Sequence, residues 1–214
     1  MTGYIIKKIL IVIVFLVGAA TLIGIASSSD DTEISDSQLT QSTDNSSITN
    51  SMYARITGDE FDKAYLADMI AHHLGALNMA SYARSETSRE QIKDFSEGLL
   101  SSQSKEVQQM LEWQKAWGYV DGSDPHAGHA MEAVGDMGAE MAAMEAKLYD
   151  LTGLAFDQEF LTQMILHHQQ AIDISKHAAT NSQHQELKDL AKSIISTQEK
   201  EIADMKRWQR EWGY

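Results

Sequence analysis

The chain repeats itself. Shifted by 95 positions, Gly58–Tyr119 lies over Gly153–Tyr214 without a gap, and 22 of the 62 paired residues are identical. FDKAYLADMIAHHLGALNMA from Phe61 meets FDQEFLTQMILHHQQAIDIS from Phe156, and QSKEVQQMLEWQKAWGY from Gln103 meets QEKEIADMKRWQREWGY from Gln198. A duplication of this length restricts the fold more than composition does. The two copies must fold alike, and the apolar face that one copy cannot bury alone has its twin to pack against.

Each copy reads as a helical hairpin. Phe61, Tyr65, Met69, His72, Ala76, Met79 and Ala83 recur at spacings of three and four, the stripe of an amphipathic helix. A polar break follows at Arg84–Arg89, then a second stripe of Ile92, Phe95, Leu99, Glu106, Met110, Trp113 and Trp117, closing at Gly118 as a C-terminal cap. A single proline in 214 residues leaves little to interrupt long helices. Two such hairpins related by a pseudo-twofold predict an all-α four-helix bundle over residues 58–214, with repeats 58–119 and 153–214. The connector, residues 120–152, is opened by Pro125 and rich in Gly, Ala and Met, and its length allows a short helix over Met137–Leu151.

Ahead of the repeats, Ile9–Ala26 is an apolar run of 18 residues preceded by Lys7 and Lys8. As a helix it would span roughly 27 Å, close to the hydrocarbon thickness of a bilayer. It exceeds the usual apolar length of a cleaved signal, although Gly24-Ile25-Ala26 is a tolerable cleavage site. Residues 1–26 are therefore expected to be a signal anchor or signal peptide. The two lysines favour a cytoplasmic N-terminus. The body then lies outside the cytoplasm, membrane-anchored at the periplasm or cell surface, or secreted if cleaved after Ala26. Residues 27–57 are dominated by Ser, Thr, Asp, Asn and Gln, too polar to offset the entropy of ordering, and are expected to be a disordered tether. Beyond the leader the chain carries 15 basic and 31 acidic side chains, a charge of −16. Such a body repels phosphate backbones, which excludes nucleic acid as a partner.

Cysteine is absent, so disulfides, thiolate metal sites and thiol nucleophiles are excluded, and the chemistry must come from eleven methionines and eight histidines. His72-His73 and His167-His168 occupy equivalent positions, each pair preceded one turn earlier by Met69 or Met164. Adjacent helical residues point about 100° apart, so one ion cannot easily take both imidazoles of a pair. Facing first helices would bring four imidazoles and two thioethers together at mid-bundle. The plainer reading puts one histidine of each pair hydrogen-bonded in the core and the other in solvent. Glu106, on the buried stripe, would need a partner: a ligating imidazole, held through its second nitrogen, or an ion pair with Lys105, Arg84 or Arg89, unless it is simply exposed at the stripe's margin. The connector adds His126, His129 and Met131, then Met137, Met141 and Met144 at helical spacing. Thioether and imidazole suit Cu(I), and the Met137–Met144 stripe reads equally as a core face. His177 and His184 look like single exposed histidines, and the four tryptophans like bundle-end packing.

At these residues the sequence resembles the domain of unknown function 305 family. Its hallmark is an Asp, a Met and an HH pair on one helix, followed on the next by Q-x-x-E-[IV]-x-x-M. Here these are Asp62, Met69, His72 and His73, then Gln103, Glu106, Val107 and Met110, with Asp157, Met164, His167, His168, Gln198, Glu201, Ile202 and Met205 in the second copy. The resemblance implies a ferritin-like four-helix bundle and an exported protein linked to copper, as Cu(I) or Cu(II), and to silver. It also implies that Asp62, Gln103, Glu106, Asp157, Gln198 and Glu201 support the Met and His ligands. The family's HH-x-x-A-x-x-M-A ends in Met79-Ala80 in the first copy but Ile174-Ser175 in the second, which makes the half-sites unequal.

Three readings follow. The first is a metal-binding protein that sequesters copper or hands it to an exported copper-handling protein or a second copy of itself. The second is a ferritin-like metal-dependent oxidoreductase, which the sequence disfavours because no Glu stands three residues before any histidine. The third is a metal-free helical interaction module.

Overall fold

The computed structural model describes residues 51–119 and 127–214, without the side chains of residues 127–136. All lie in the contact unit Ser37–Tyr214. Among the described residues there are five long helices and no strand: α1 Asp59–Glu86, α2 Glu90–Ala116, α3 Ala127–Ala146, α4 Gly153–Asn181 and α5 Gln185–Trp212. The expected leader Ile9–Ala26 and the tether up to residue 50 fall outside the described residues. Among those that are described, no helix is long and apolar enough to cross a membrane.

Local chemistry sets the helix ends. Asp59, Glu60 and Asp62 crowd the first turn of α1 and Arg84 its last, each the sign that the helix dipole favours. The second helix of each repeat stops at a left-handed glycine, Gly118 at φ 75° and Gly213 at φ 77°, where only glycine avoids a Cβ penalty.

Within each hairpin α1 packs on α2 and α4 on α5, while α1 meets α4 across the repeat axis and α3 lies on α1. The first helices are therefore the inner ones. Phe61, Tyr65, Met69, Ala76 and Met79 of α1 are buried, as are Phe156, Phe160, Met164, Ala171 and Ile174 of α4. The outer helices bury a single stripe each, and the two stripes match position for position: Ile92, Leu99, Gln103, Val107 and Met110 against Leu187, Ile194, Gln198, Ile202 and Met205. Each large apolar side chain so buried contributes about 1.5–3 kcal/mol. The packed body begins before Gly58, for Tyr53 is fully buried and donates to Asp68 at 2.6 Å.

The connector differs from expectation in where its helix lies. The helix runs over Ala127–Ala146 rather than Met137–Leu151, because the chain turns at residues 147–150, with Asp150 at φ 69°. Met137, Met141, Met144 and Leu148 are buried all the same. Gly75 on α1 makes the seat: a Cβ there would stand 2.8 Å from both Cβ and Cγ of Met141.

The hairpins are tied together at both ends. Asp62 of α1 accepts from the backbone N–H groups of Gln183 and His184 and pairs with His184 Nδ1 at 2.6 Å, all in the turn between α4 and α5. Asp157 of α4 accepts from Thr87 Oγ1 at 2.6 Å and Arg89 Nε at 3.1 Å, in the turn between α1 and α2. His184 stacks on Trp117 with ring centroids 3.7 Å apart, and the Arg89 guanidinium lies 4.0 Å from the centroid of Trp212. The tryptophans also stack in pairs, Trp113 on Trp117 and Trp208 on Trp212.

Candidate metal centre

Because α1 and α4 have neighbours on several sides, both members of each HH pair are covered. His72, His73, His167 and His168 all have no exposed surface, so the arrangement with one histidine of each pair in solvent does not occur. The rings diverge by purpose. His72 and His167 meet on the repeat axis, centroids 3.6 Å apart and planes tilted 36°, and His167 Nε2 donates to the His72 carbonyl at 2.9 Å. His73 turns outward to α2 and lies 2.8 Å from Glu106 through Nε2, while His168 turns to α5 and lies 2.8 Å from Glu201 through Nε2. The two carboxylates are the centre's link to water, with side chains 22% and 23% exposed.

Glu106 thus takes the imidazole and not an ion pair with Lys105, Arg84 or Arg89. Arg84 instead pairs with Glu97 at 3.0 Å, and Arg89 with Asp157. Gln103 and Gln198 sit one turn before the glutamates, buried, each with Oε1 lacking a hydrogen-bond partner. Nδ1 of all four histidines, and Nε2 of His72, lack one too. Met69 and Met164 are fully buried one turn from the rings. Burial, with the neighbouring imidazoles adding to it, pushes the pKa of His72 and His167 well below the ordinary 6.5, so both rings are neutral. Neutral rings keep a lone pair for an electrophile.

The structure separates the remaining expected residues. Asp62 and Asp157 stand ten residues before His72 and His167, roughly 15 Å along a helix, and serve the inter-hairpin ties rather than the imidazoles. His184 belongs to one of those ties and is not a lone exposed residue. Met137, Met141 and Met144 are buried against α1. His126, and the side chains of His129 and Met131, lie outside the described residues. Among the described residues no three His, Asp or Glu side chains converge closely enough to hold an ion. Nitrogen and oxygen side chains alone therefore do not complete a coordination sphere. One participant had no signal in the sequence: the His72 carbonyl, a backbone group that only the α1–α4 crossing brings to His167.

Two helical hairpins, duplicated in sequence and joined over a buried Met/His centre, define an all-helical protein with an internally repeated polar core. The chain belongs to the family described as Domain of unknown function (DUF305), whose model matches residues 27–114 and 62–209. Among solved structures it is similar to CopM in the Cu(II)-bound form, at 26% identity and TM-score 0.57 over 71% of this chain and 98% of that one. The Cu(I)-bound form of CopM gives 26% and 0.56 over 71% and 96%. A putative secreted DUF305 protein from Streptomyces coelicolor gives 23% identity and 0.59 over 71% and 93%, and shows the fold alone. No protein of curated function matches the chain.

Proposed function

We propose that this protein binds copper, and silver as its soft analogue, outside the cytoplasm, and sequesters it or hands it on through the Met/His centre. The carrying observation is the repeated set of buried imidazoles with unpartnered Nδ1 atoms, each beside a buried methionine. A buried acceptor without a donor costs stability, and an incoming cation removes that cost. The donors are soft and borderline, which matches Cu(I) better than a hard ion. Kinship with CopM, crystallised with Cu(I), Cu(II) and silver, supports the same reading. Met69, His72, His73, Met164, His167 and His168 form the centre in this proposal. Met137, Met141 and Met144, with His126, His129 and Met131, form an auxiliary set, and Ile9–Ala26 is the membrane anchor of a ferritin-like bundle. The −16 body raises the local cation concentration without choosing among metals.

Imidazoles must be neutral to ligate. Since burial keeps His72 and His167 neutral below the ordinary histidine pKa, copper binding at these two should persist to lower pH than at an exposed histidine. The test is a competition titration of the full chain against a His72/His73/His167/His168→Ala variant that stays helical by circular dichroism. Loss of copper stoichiometry is expected. Unchanged stoichiometry and affinity would make the HH pairs core residues only.

A further inference from the structure

We infer that His73, His167 and His168 each offer Nδ1, not Nε2, for metal ligation, because Glu106, Glu201 and the His72 carbonyl hold the ring proton on Nε2. This rests on the metal-binding reading above and adds the ligating atom and the groups that select it. A carbonyl oxygen can only accept a hydrogen bond, so the 2.9 Å contact to His72 O requires the proton on Nε2 of His167. An ionised carboxylate also only accepts, so the 2.8 Å contacts to Glu106 and Glu201 require the same of His73 and His168. A neutral imidazole has one ring proton. With it committed to Nε2, the neutral form of each of the three rings carries its lone pair on Nδ1.

Those three Nδ1 atoms are buried and make no hydrogen bond. Buried polar atoms nearly always find a partner, yet here the omission recurs at the same atom in both repeats, His73 and His168, and again in His167. Recurrence at equivalent positions argues for a use rather than a packing defect. In each ring one nitrogen is spent on a protein acceptor and the other is left free, which is how a ligating histidine is held by its other ring nitrogen. His72, with neither nitrogen hydrogen-bonded, is held to no tautomer and is not part of the claim. Glu106 and Glu201 are accordingly positioning residues.

Long-range proton–nitrogen spectra of the 15N-labelled full chain in detergent micelles read the tautomers directly, first metal-free and then with Ag(I) alone, which is diamagnetic and does not change oxidation state. The expected result is the Nε2–H tautomer at His73, His167 and His168 without metal, and Ag(I) perturbing their Nδ1 resonances. Glu106→Gln, whose amide can donate as well as accept, should release the tautomer of His73 alone and leave His168 unchanged. It should also weaken Ag(I) binding by about ten- to hundredfold. Nδ1–H tautomers in the metal-free chain, or Ag(I) on Nε2, would overturn the inference while leaving metal binding intact. No perturbation of any ring by Ag(I) would instead overturn the metal-binding reading, and this inference with it.

Discussion

At the middle of α1 His73 stands 2.8 Å from Glu106, and at the same place in α4 His168 stands 2.8 Å from Glu201. At the ends of the same helices the partners differ: Asp62 meets a histidine, His184, and Asp157 meets an arginine, Arg89, although the two are counterparts at the 95-residue offset. The contrast separates two kinds of demand. The outward-turned buried ring keeps the same acceptor, a glutamate at the same distance, in both copies. An end tie needs only a planar donor that can lie on an indole and reach a carboxylate, and imidazole and guanidinium both satisfy it.

The largest expected effect breaks the ends apart. Asp157→Ala leaves the Arg89 cation without its carboxylate and should destabilise the protein by about 3–5 kcal/mol in urea unfolding. Asp62→Ala leaves an imidazole, a group without a fixed charge, and two backbone N–H groups without their acceptor, and should cost less, about 1–3 kcal/mol. Equal losses would mean that the charge of Arg89 does not matter.

The next effect concerns the middle. His72 and His167 have pKa values below 6.5 in the folded protein, so as pH falls the unfolded chain takes up protons first. Stability of the metal-free protein should be fully present above about 6.5 and decline below it. Each ring contributes up to about 1.4 kcal/mol per pH unit. Thermal unfolding between pH 8 and 5 checks the sign, and a His72→Ala/His167→Ala variant should flatten the slope.

A smaller effect comes from the helix that breaks the symmetry. Gly75, whose counterpart is Gln170, accepts Met141 so closely that Gly75→Ala should cost about 1–3 kcal/mol through overpacking. Gly98 in α2 has open space where its Cβ would go, and Gly98→Ala should stabilise by about 0.5–1 kcal/mol. A circular dichroism melt in which Gly75→Ala unfolds no earlier than the parent chain would show that α3 does not sit tightly on α1.

Much of this fold could be read in the sequence because periodicity is local. The stripe from Phe61 to Ala83 and the stop at Gly118 reappear as α1 and the end of α2, while the break expected at Arg84–Arg89 narrows to residues 87–89 because α1 runs on to Glu86. The connector's buried face, Met137, Met141, Met144 and Leu148, was legible as a stripe, but its helix ends were not, since alanine prolongs a helix without marking where it starts. Cross-helix partners were legible least. Nothing along the chain says that Glu106 reaches His73 rather than solvent, because that depends on how α1 and α2 are rotated against each other. That Asp62 and Asp157 would leave the imidazoles and reach the opposite turns was also hidden, for their partners lie about 120 and 70 residues away.

Those ties have a further consequence. Each takes its carboxylate from one hairpin and its turn from the other, so neither closes within a single repeat. A lone hairpin would carry one loose half of each. Two identical copies would close both by a twofold axis, as in an isologous dimer, with each contact made twice. Residues 120–152 turn that meeting of equals into an intramolecular one, where the partner is always present at high effective concentration. Only once the partners are fixed in pairs can one copy keep an arginine and the other a histidine, or one accept α3 on a glycine while its twin carries a glutamine.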